Sequence, residues 1–207
     1  MGGGRHTDIQ AMKRKEDDEV KITKMSNKLW RKRLGGPRTP IQNSTKAFWK
    51  TLWKDTSDPR SKNIIWRYNL DKLSNSAKLN NIAPATFTNP NCHTCGKDET
   101  RIHMIFECDL KEYIWRKTLE EHCQETPTTD MIAQLINPRG PILKLKEGSQ
   151  LSQMQLVSTI ILGIWEHHWE TKLNETAFTL TGGLNHTKSI IDKLIKQLAY
   201  KSKIAQK

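Results

Sequence analysis

The sequence lacks a long hydrophobic run. Its most apolar stretch, residues 157–165, is far shorter than the roughly 18 residues that a membrane-spanning helix requires. The N-terminus lacks the apolar segment of a secretory signal, and His6 stands where a myristoylation motif needs Ser or Thr. We therefore expect an intracellular protein without a membrane partner, in which the four cysteines are thiols or metal ligands rather than disulfides.

Apolar residues are scarce overall. They make up 35% of the 207 residues, which is below the usual share for a globular chain. Seven tryptophans offset this scarcity, because each can bury a large apolar area. The length and composition predict one compact domain or two small ones.

Motifs of catalysis are also missing. The sequence contains no phosphate-binding Walker loop, no nucleophile elbow and no carboxylate triad that would bind a catalytic metal. No pair of activated side chains stands at a plausible site. The sequence therefore does not predict an enzyme.

Acidic residues are in the minority. Lys and Arg number 34 against 22 Asp and Glu, which gives a formal net charge of +12. An excess of positive charge attracts polyanions, and nucleic-acid phosphates are the most common such partner. We therefore expect nucleic acid as the partner, bound mainly through its backbone, with the choice between RNA and DNA left open.

The first 41 residues are predicted to be a disordered basic arm. Positions 1–40 contain eleven basic and five acidic residues with few apolar ones, a composition that cannot fold alone. Two basic clusters are candidates for phosphate contacts or for a split nuclear-import signal, and a merely solvated arm is the alternative. A nuclear location is favoured over a cytoplasmic one. The clusters are Lys13, Arg14, Lys15 and Arg31, Lys32, Arg33.

The rest of the chain shows helical periodicity with no sustained alternating pattern of strands. We predict a mainly α fold, with a zinc-binding domain over 42–125 and a C-terminal helical region over 126–207. Gly182 and Gly183 are predicted to break the helical pattern. The predicted helices begin near residue 44 or 45, at Asp58 and Pro59, at Asn75, after Cys108, at Thr129, and over 151–173 and 187–204.

One short segment carries the spacing of a metal site. Its formula is Cys-x2-Cys-x7-His-x4-Cys, formed by Cys92, Cys95, His103 and Cys108. Gly96 can adopt the positive φ that a tight Cys-x2-Cys turn needs. Four nitrogen and sulfur donors complete a closed tetrahedron around zinc without room for a catalytic water. The segment therefore predicts one structural zinc ion.

Other Cys and His residues lie near this segment. His93 falls inside the Cys-x2-Cys turn and is expected to point away from the metal. His122 and Cys123 are alternative ligands that we interpret as helix residues. His167 and His168 are adjacent, so their rings diverge on a helix and favour packing over metal binding.

The flanks of the metal segment extend the pattern. The sequence reads Phe48-Trp49-Lys50-x2-Trp53, then Trp66-Arg67, then Cys92-x2-Cys95-Gly96, Glu99-Thr100, His103-x2-Phe106-x-Cys108 and Ile114-Trp115. This order resembles the zinc-binding domain at the C-terminal end of reverse transcriptases of non-LTR (LINE-type) retrotransposons. The resemblance covers roughly residues 45–120.

The resemblance carries specific implications. It implies that Cys92, Cys95, His103 and Cys108 are zinc ligands, and that the module helps to hold template RNA or target DNA during reverse transcription. It also implies core positions for Phe48, Trp49, Trp53, Trp66 and Trp115. Active polymerases of this family carry an upstream aromatic-Ala-Asp-Asp motif. The only Asp pair here is Asp17 and Asp18 in the charged arm, so a detached terminal module, a truncated element or a host-retained remnant is expected.

Two functions remain open at this point. The first is a zinc-stabilised module that binds nucleic acid, with Arg60 and Lys62 as further phosphate contacts. The second is a scaffold whose fold is stabilised by zinc and which binds a protein partner through the helix at 151–173 or at 187–204. Salt-dependent binding of nucleic acid distinguishes them, because a scaffold would not show it.

Overall fold

The computed structural model describes residues 46–137 and 140–205. The predicted basic arm, with its clusters at 13–15 and 31–33, lies outside the described residues.

The prediction of a mainly α fold is confirmed. The described residues contain no β-strand, only two isolated bridges that join Asn91 to Asp98 and Cys123 to Leu145. Seven α-helices and one π-helical turn account for the regular structure. They are α1 (Lys46–Lys54), α2 (Pro59–Asn69), α3 (Ser76–Ile82), the π-helical turn (His103–Glu107), α4 (Asp109–His122), α5 (Thr129–Gln134), α6 (Gln153–Leu173) and α7 (Leu180–Ala205).

Polar side chains fix the starts of three helices. The Asp58 carboxylate accepts a hydrogen bond from the Arg60 backbone N–H, and Pro59 occupies the first turn of α2. The Asn75 side chain accepts from the Lys78 backbone N–H at the start of α3. Ser152 and Gln155 form a reciprocal capping box at the start of α6. The starts predicted near Pro59 and Asn75 are thus confirmed.

The core is organised around α6. Every residue from Gln155 to Ile164 is buried, so this part of the helix has no solvent face. Helix α6 packs against α2, α4, α7 and the π-helical turn. A helix segment that is buried on all sides belongs at the centre of a fold. This position leaves residues 155–164 without a free face for a protein partner.

The predicted break at Gly182 and Gly183 is wrong. Both glycines lie inside α7, which begins at Leu180. A Cβ atom on Gly183 would lie 2.4 Å from the Cδ1 atom of Ile114 in α4. The residue is therefore small because two helices approach each other closely there.

Five aromatic residues are predicted to lie in the core, and the structure confirms this for some of them only. Trp115 is fully buried, and its indole N–H donates to the Ile105 carbonyl at 2.9 Å. Phe48 and Trp49 pack partly buried against the core. Trp53 and Trp66 are 51% and 38% exposed, so their prediction as core residues is wrong. On α2 the buried face runs through Ser61, Ile64, Ile65 and Tyr68, and Trp66 lies off that face.

The described residues belong to one compact unit. The division into a zinc-binding domain and a C-terminal helical region near residue 125 stays a prediction. None of the described helices is both long enough and apolar enough to cross a membrane.

Candidate metal centre

The first pair of cysteines stands on a tight backbone turn. The Gly96 N–H donates to the Cys92 carbonyl at 2.8 Å, and the Cys92 N–H donates to the Lys97 carbonyl at 2.8 Å. Gly96 has a φ of +76°, a conformation that glycine adopts without steric cost. The prediction for Gly96 is therefore confirmed. The turn directs both flanking cysteines towards the same side.

The other two predicted ligands, His103 and Cys108, lie at the start and just after the end of the π-helical turn. Cys108 follows His103 by five residues, which on an α-helix of 3.6 residues per turn would place it about 140° away around the axis. The Cys108 N–H instead donates to the His103 carbonyl at 3.2 Å, in the five-residue pattern of a π-helix. This wider turn brings the two side chains close together. Sequence spacing indicated a helical turn but not its π-helical form.

The four predicted ligands converge. Donor atoms of Cys92, Cys95, His103 and Cys108 all lie within 4.8 Å of one another. The Cys95 sulfur lies 3.1 Å from Nε2 of His103. Cys95 is exposed, whereas the other three are buried. Three thiols and one imidazole are a donor set that suits Zn²⁺, so this cluster could hold zinc.

The two buried cysteine sulfurs interact directly. A hydrogen bond with Cys108 lowers the pKa of the Cys92 thiol. The same bond, together with burial, raises the pKa of Cys108. Zinc binds cysteine as thiolate, so a metal cation held here would replace the thiol protons.

A buried polar network lies behind the cluster and reaches α6. The Glu99 carboxylate is fully buried and accepts from the Ser76 backbone N–H at 2.7 Å and from the Ser76 hydroxyl. Its Oε1 atom lies 3.5 Å from Nε2 of His168 and 3.9 Å from the Lys172 ammonium. On the other edge of the His168 ring, Nδ1 lies 3.0 Å from Nζ of the buried Lys111.

These contacts set the protonation of the network. Burial raises the pKa of Glu99, but hydrogen bonds and charge from His168 and Ser76 outweigh it and lower the value to about 2. Burial lowers the pKa of His168 to about 4. Burial also lowers the pKa of Lys111, while the charges of Cys92 and Cys108 favour its ammonium form. Glu99 is therefore ionised and His168 neutral near pH 7.

His93, Glu99 and His168 form a second group of donors within 4.8 Å of one another. His93 is not part of the four-donor cluster, and its Nε2 lies 3.1 Å from the Thr171 hydroxyl oxygen. The ammonium groups of Lys111 and Lys172 already stand beside His168 and Glu99. A second divalent cation here would face two positive charges, which disfavours it.

His122 and Cys123 lie outside both groups of donors among the described residues. Cys123 is buried, and its N–H donates to the Leu119 carbonyl at the end of α4. The interpretation as a helix residue is confirmed for His122, the last residue of α4. It is wrong for Cys123, which caps that helix and forms the isolated bridge with Leu145.

The cations predicted around α2 are held by protein groups. Arg60 pairs with Asp58 at 2.9 Å and with Glu166. Lys62 is buried, and its ammonium donates to the carbonyls of Trp53 and Asp55. Lys62 therefore ties the start of α2 to the end of α1, and its prediction as a phosphate contact is corrected. Arg60 keeps an exposed guanidinium and stays a prediction.

A larger group of exposed cations lies on α7. Asp192 is the only acidic residue of this helix. The sequence predicts a basic amphipathic helix here, although the phosphate contacts predicted from it lie on the arm and on α2. Its exposed lysines are Lys188, Lys193, Lys196, Lys201 and Lys203.

The chain was compared with known proteins. Residues 29–115 match the model of a family described as zinc-binding in reverse transcriptase. The match includes all four cluster residues and confirms the resemblance found in the sequence, although it spans less than half of the 207 residues. No curated protein and no solved structure matches the chain.

Proposed function

We propose, from this match to the zinc-binding family of reverse transcriptases, that the protein is a zinc-stabilised module that binds nucleic acid. One zinc ion is held by Cys92, Cys95, His103 and Cys108. The observation that carries the proposal is the convergence of these four donors within 4.8 Å inside the matched segment. Four protein ligands leave no position for a reacting water, so we assign the metal a structural role and no catalysis.

The metal would act on folding because its ligands come from separate local structures. Cys92 and Cys95 belong to a backbone turn, His103 begins the π-helical turn, and Cys108 precedes α4. Residues 104–106, between the last two ligands, are buried in the core. Binding energy at such a site contributes directly to the free energy of folding.

Positive charge supports nucleic acid as the partner. The net charge of the chain is +12. Helix α7 carries several exposed lysines but only one acidic residue. Neutralising phosphates releases condensed counterions, which makes such binding strongly salt-dependent. We propose contacts to the backbone of RNA or DNA rather than to bases. A nuclear location stays a prediction.

The metal part is tested by metal analysis of the purified full chain. We expect about one zinc per chain, as a closed four-ligand site implies. Cys95→Ser and His103→Ala should both lose the zinc and part of the helical circular-dichroism signal. Variants that keep metal and fold would contradict the ligand assignment.

The proposal that nucleic acid is the partner is tested by measuring binding of a fluorescent single-stranded RNA and of a DNA duplex at increasing salt concentrations. A triple change of Lys188, Lys193 and Lys196 to Gln should weaken binding of either nucleic acid. The slope of log K against log salt should fall by about 0.7 to 0.9 for each phosphate that the protein no longer neutralises. The same three positions changed to Arg serve as the matched control and should preserve binding.

A wild-type protein without salt-dependent binding would refute the nucleic-acid proposal. It would favour the alternative scaffold, in which the zinc centre only supports a surface for a protein partner.

A further inference from the structure

Lys111 is a fully buried lysine beside the candidate zinc site. Its ammonium lies 3.0 Å from Nδ1 of His168 and 5.6 Å from the centroid of the Phe178 ring. Neither partner carries a negative charge near pH 7, and no carboxylate forms an ion pair with it among the described residues. Lysine is almost never buried without an opposite charge, so its position needs an explanation.

The zinc ligands supply that opposite charge. Lys111 lies in the first turn of α4, three residues after Cys108, and its N–H donates to the Cys108 carbonyl at 2.8 Å. Residues three apart share one face of a helix. The sulfurs of Cys92, Cys108 and Cys95, together with Glu99, interact electrostatically with its ammonium. Three thiolates and one neutral imidazole around Zn²⁺ leave a single net negative charge.

We propose that Lys111 is the positioning residue whose ammonium neutralises this net charge and thereby tightens zinc binding. The inference rests on the proposed zinc site. It adds a residue outside the ligand set, on the helix that follows the last ligand.

The neighbouring groups complete the balance of buried charge. Lys172 lies 3.9 Å from Glu99 and offsets that carboxylate. Lys111 is then left for the zinc centre, and neutral His168 holds it in place through Nδ1. A second metal at His93, Glu99 and His168 would upset this balance. We therefore expect no second metal ion at His93, Glu99 and His168.

The test compares Lys111→Met with Lys111→Arg in the full-length protein, using a competing chelator to measure zinc affinity. Loss of the positive charge should weaken zinc binding about tenfold to a hundredfold. Arginine should restore a large part of the affinity, because it keeps the charge. Lys97→Met is the control, since Lys97 lies in the same metal-binding segment but is exposed and screened by water.

A purely structural role predicts a different pattern. A buried charge that has no opposite charge beside it costs free energy, so replacing it by an apolar side chain of similar volume should be neutral or stabilising. Lys111→Met would then keep its zinc affinity and unfold no more easily than wild type. That outcome would overturn the inference while leaving the zinc site intact.

Replacing zinc by cobalt gives an absorption spectrum that reports the charge around the thiolates and not the packing of the core. The sulfur-to-cobalt charge-transfer band should shift to longer wavelength in Lys111→Met, because the thiolates lose a neighbouring cation. An unshifted band, or a second cobalt ion without sulfur ligands in wild type, would contradict the charge balance. A wild-type protein that binds no metal would refute the proposed site itself along with this inference.

Discussion

The sulfur of Cys95 lies 3.1 Å from Nε2 of His103, although one residue is exposed and the other is buried. The contact joins the end of a backbone turn to the start of the π-helical turn. Either segment alone is too short to hold its conformation. Their meeting point is where a metal would contribute most to the stability of the module.

Two buried cysteines provide a matched test of the ligand set. Cys108 lies in the four-donor cluster, whereas Cys123 lies outside it at the end of α4. Cys108→Ser should abolish zinc retention through dialysis, measured by elemental analysis, because serine does not replace a thiolate ligand. Cys123→Ser should retain the metal. Loss of zinc from both variants to the same extent would contradict the assignment.

Glu99 should be essential for stability. Its carboxylate is fully buried and faces Ser76, His168 and Lys172. Glu99→Gln removes the charge that offsets a lysine, so we expect the free energy of unfolding to fall by about 2–4 kcal/mol. Urea denaturation measures this change. The exposed Glu170 is the control, and Glu170→Gln should alter stability by less than about 0.5 kcal/mol.

His168 should make stability depend on pH. In the unfolded chain its imidazole takes up a proton at the ordinary histidine pKa of 6.5, whereas in the folded protein burial lowers the pKa to about 4. The stabilisation that depends on neutral His168 is therefore fully present above pH 6.5. As the pH falls towards 4, the free energy of unfolding decreases by at most about 1.4 kcal/mol per pH unit. Denaturation between these values, compared with His168→Gln, measures it. Identical pH slopes in both proteins would disprove this role.

The crossing of α6 and α7 should not tolerate a methyl group at Gly163. A Cβ atom there would lie 2.4 Å from the Thr187 hydroxyl and 2.9 Å from the Thr187 Cα. The backbone of α7 would have to move, so Gly163→Ala should destabilise the protein by about 1–3 kcal/mol despite the better helix propensity of alanine. Thermal unfolding checks this. Ser189→Ala on the exposed face of α7 should cause little change.

Local sequence signals predicted the parts of the molecule that depend on neighbours in the chain. The Cys and His spacing identified all four members of the donor cluster, and Gly96 and the start of α2 followed from turn and capping preferences. Each of these features belongs to one continuous segment of the sequence.

Features that depend on how the helices pack together were not predicted from the sequence. Gly182 and Gly183 indicated a break because the approach of Ile114 from α4 is invisible in the local sequence. The network between Glu99 and His168 joins residues that no spacing rule relates. The sequence does not predict the burial of Lys62, because the carbonyls of Trp53 and Asp55 approach its ammonium only when α1 and α2 fold together.

The polar network has a consequence for how this metal motif can be used as a unit. The family match ends at residue 115, yet His168, Thr171 and Lys172 on α6 contact His93 and Glu99 of the metal segment. A fragment cut at the end of the match would leave the Glu99 carboxylate and the Lys111 ammonium facing water. The motif therefore does not fold as an independent unit like a small zinc finger. A fragment transferred to another protein would have to include α6.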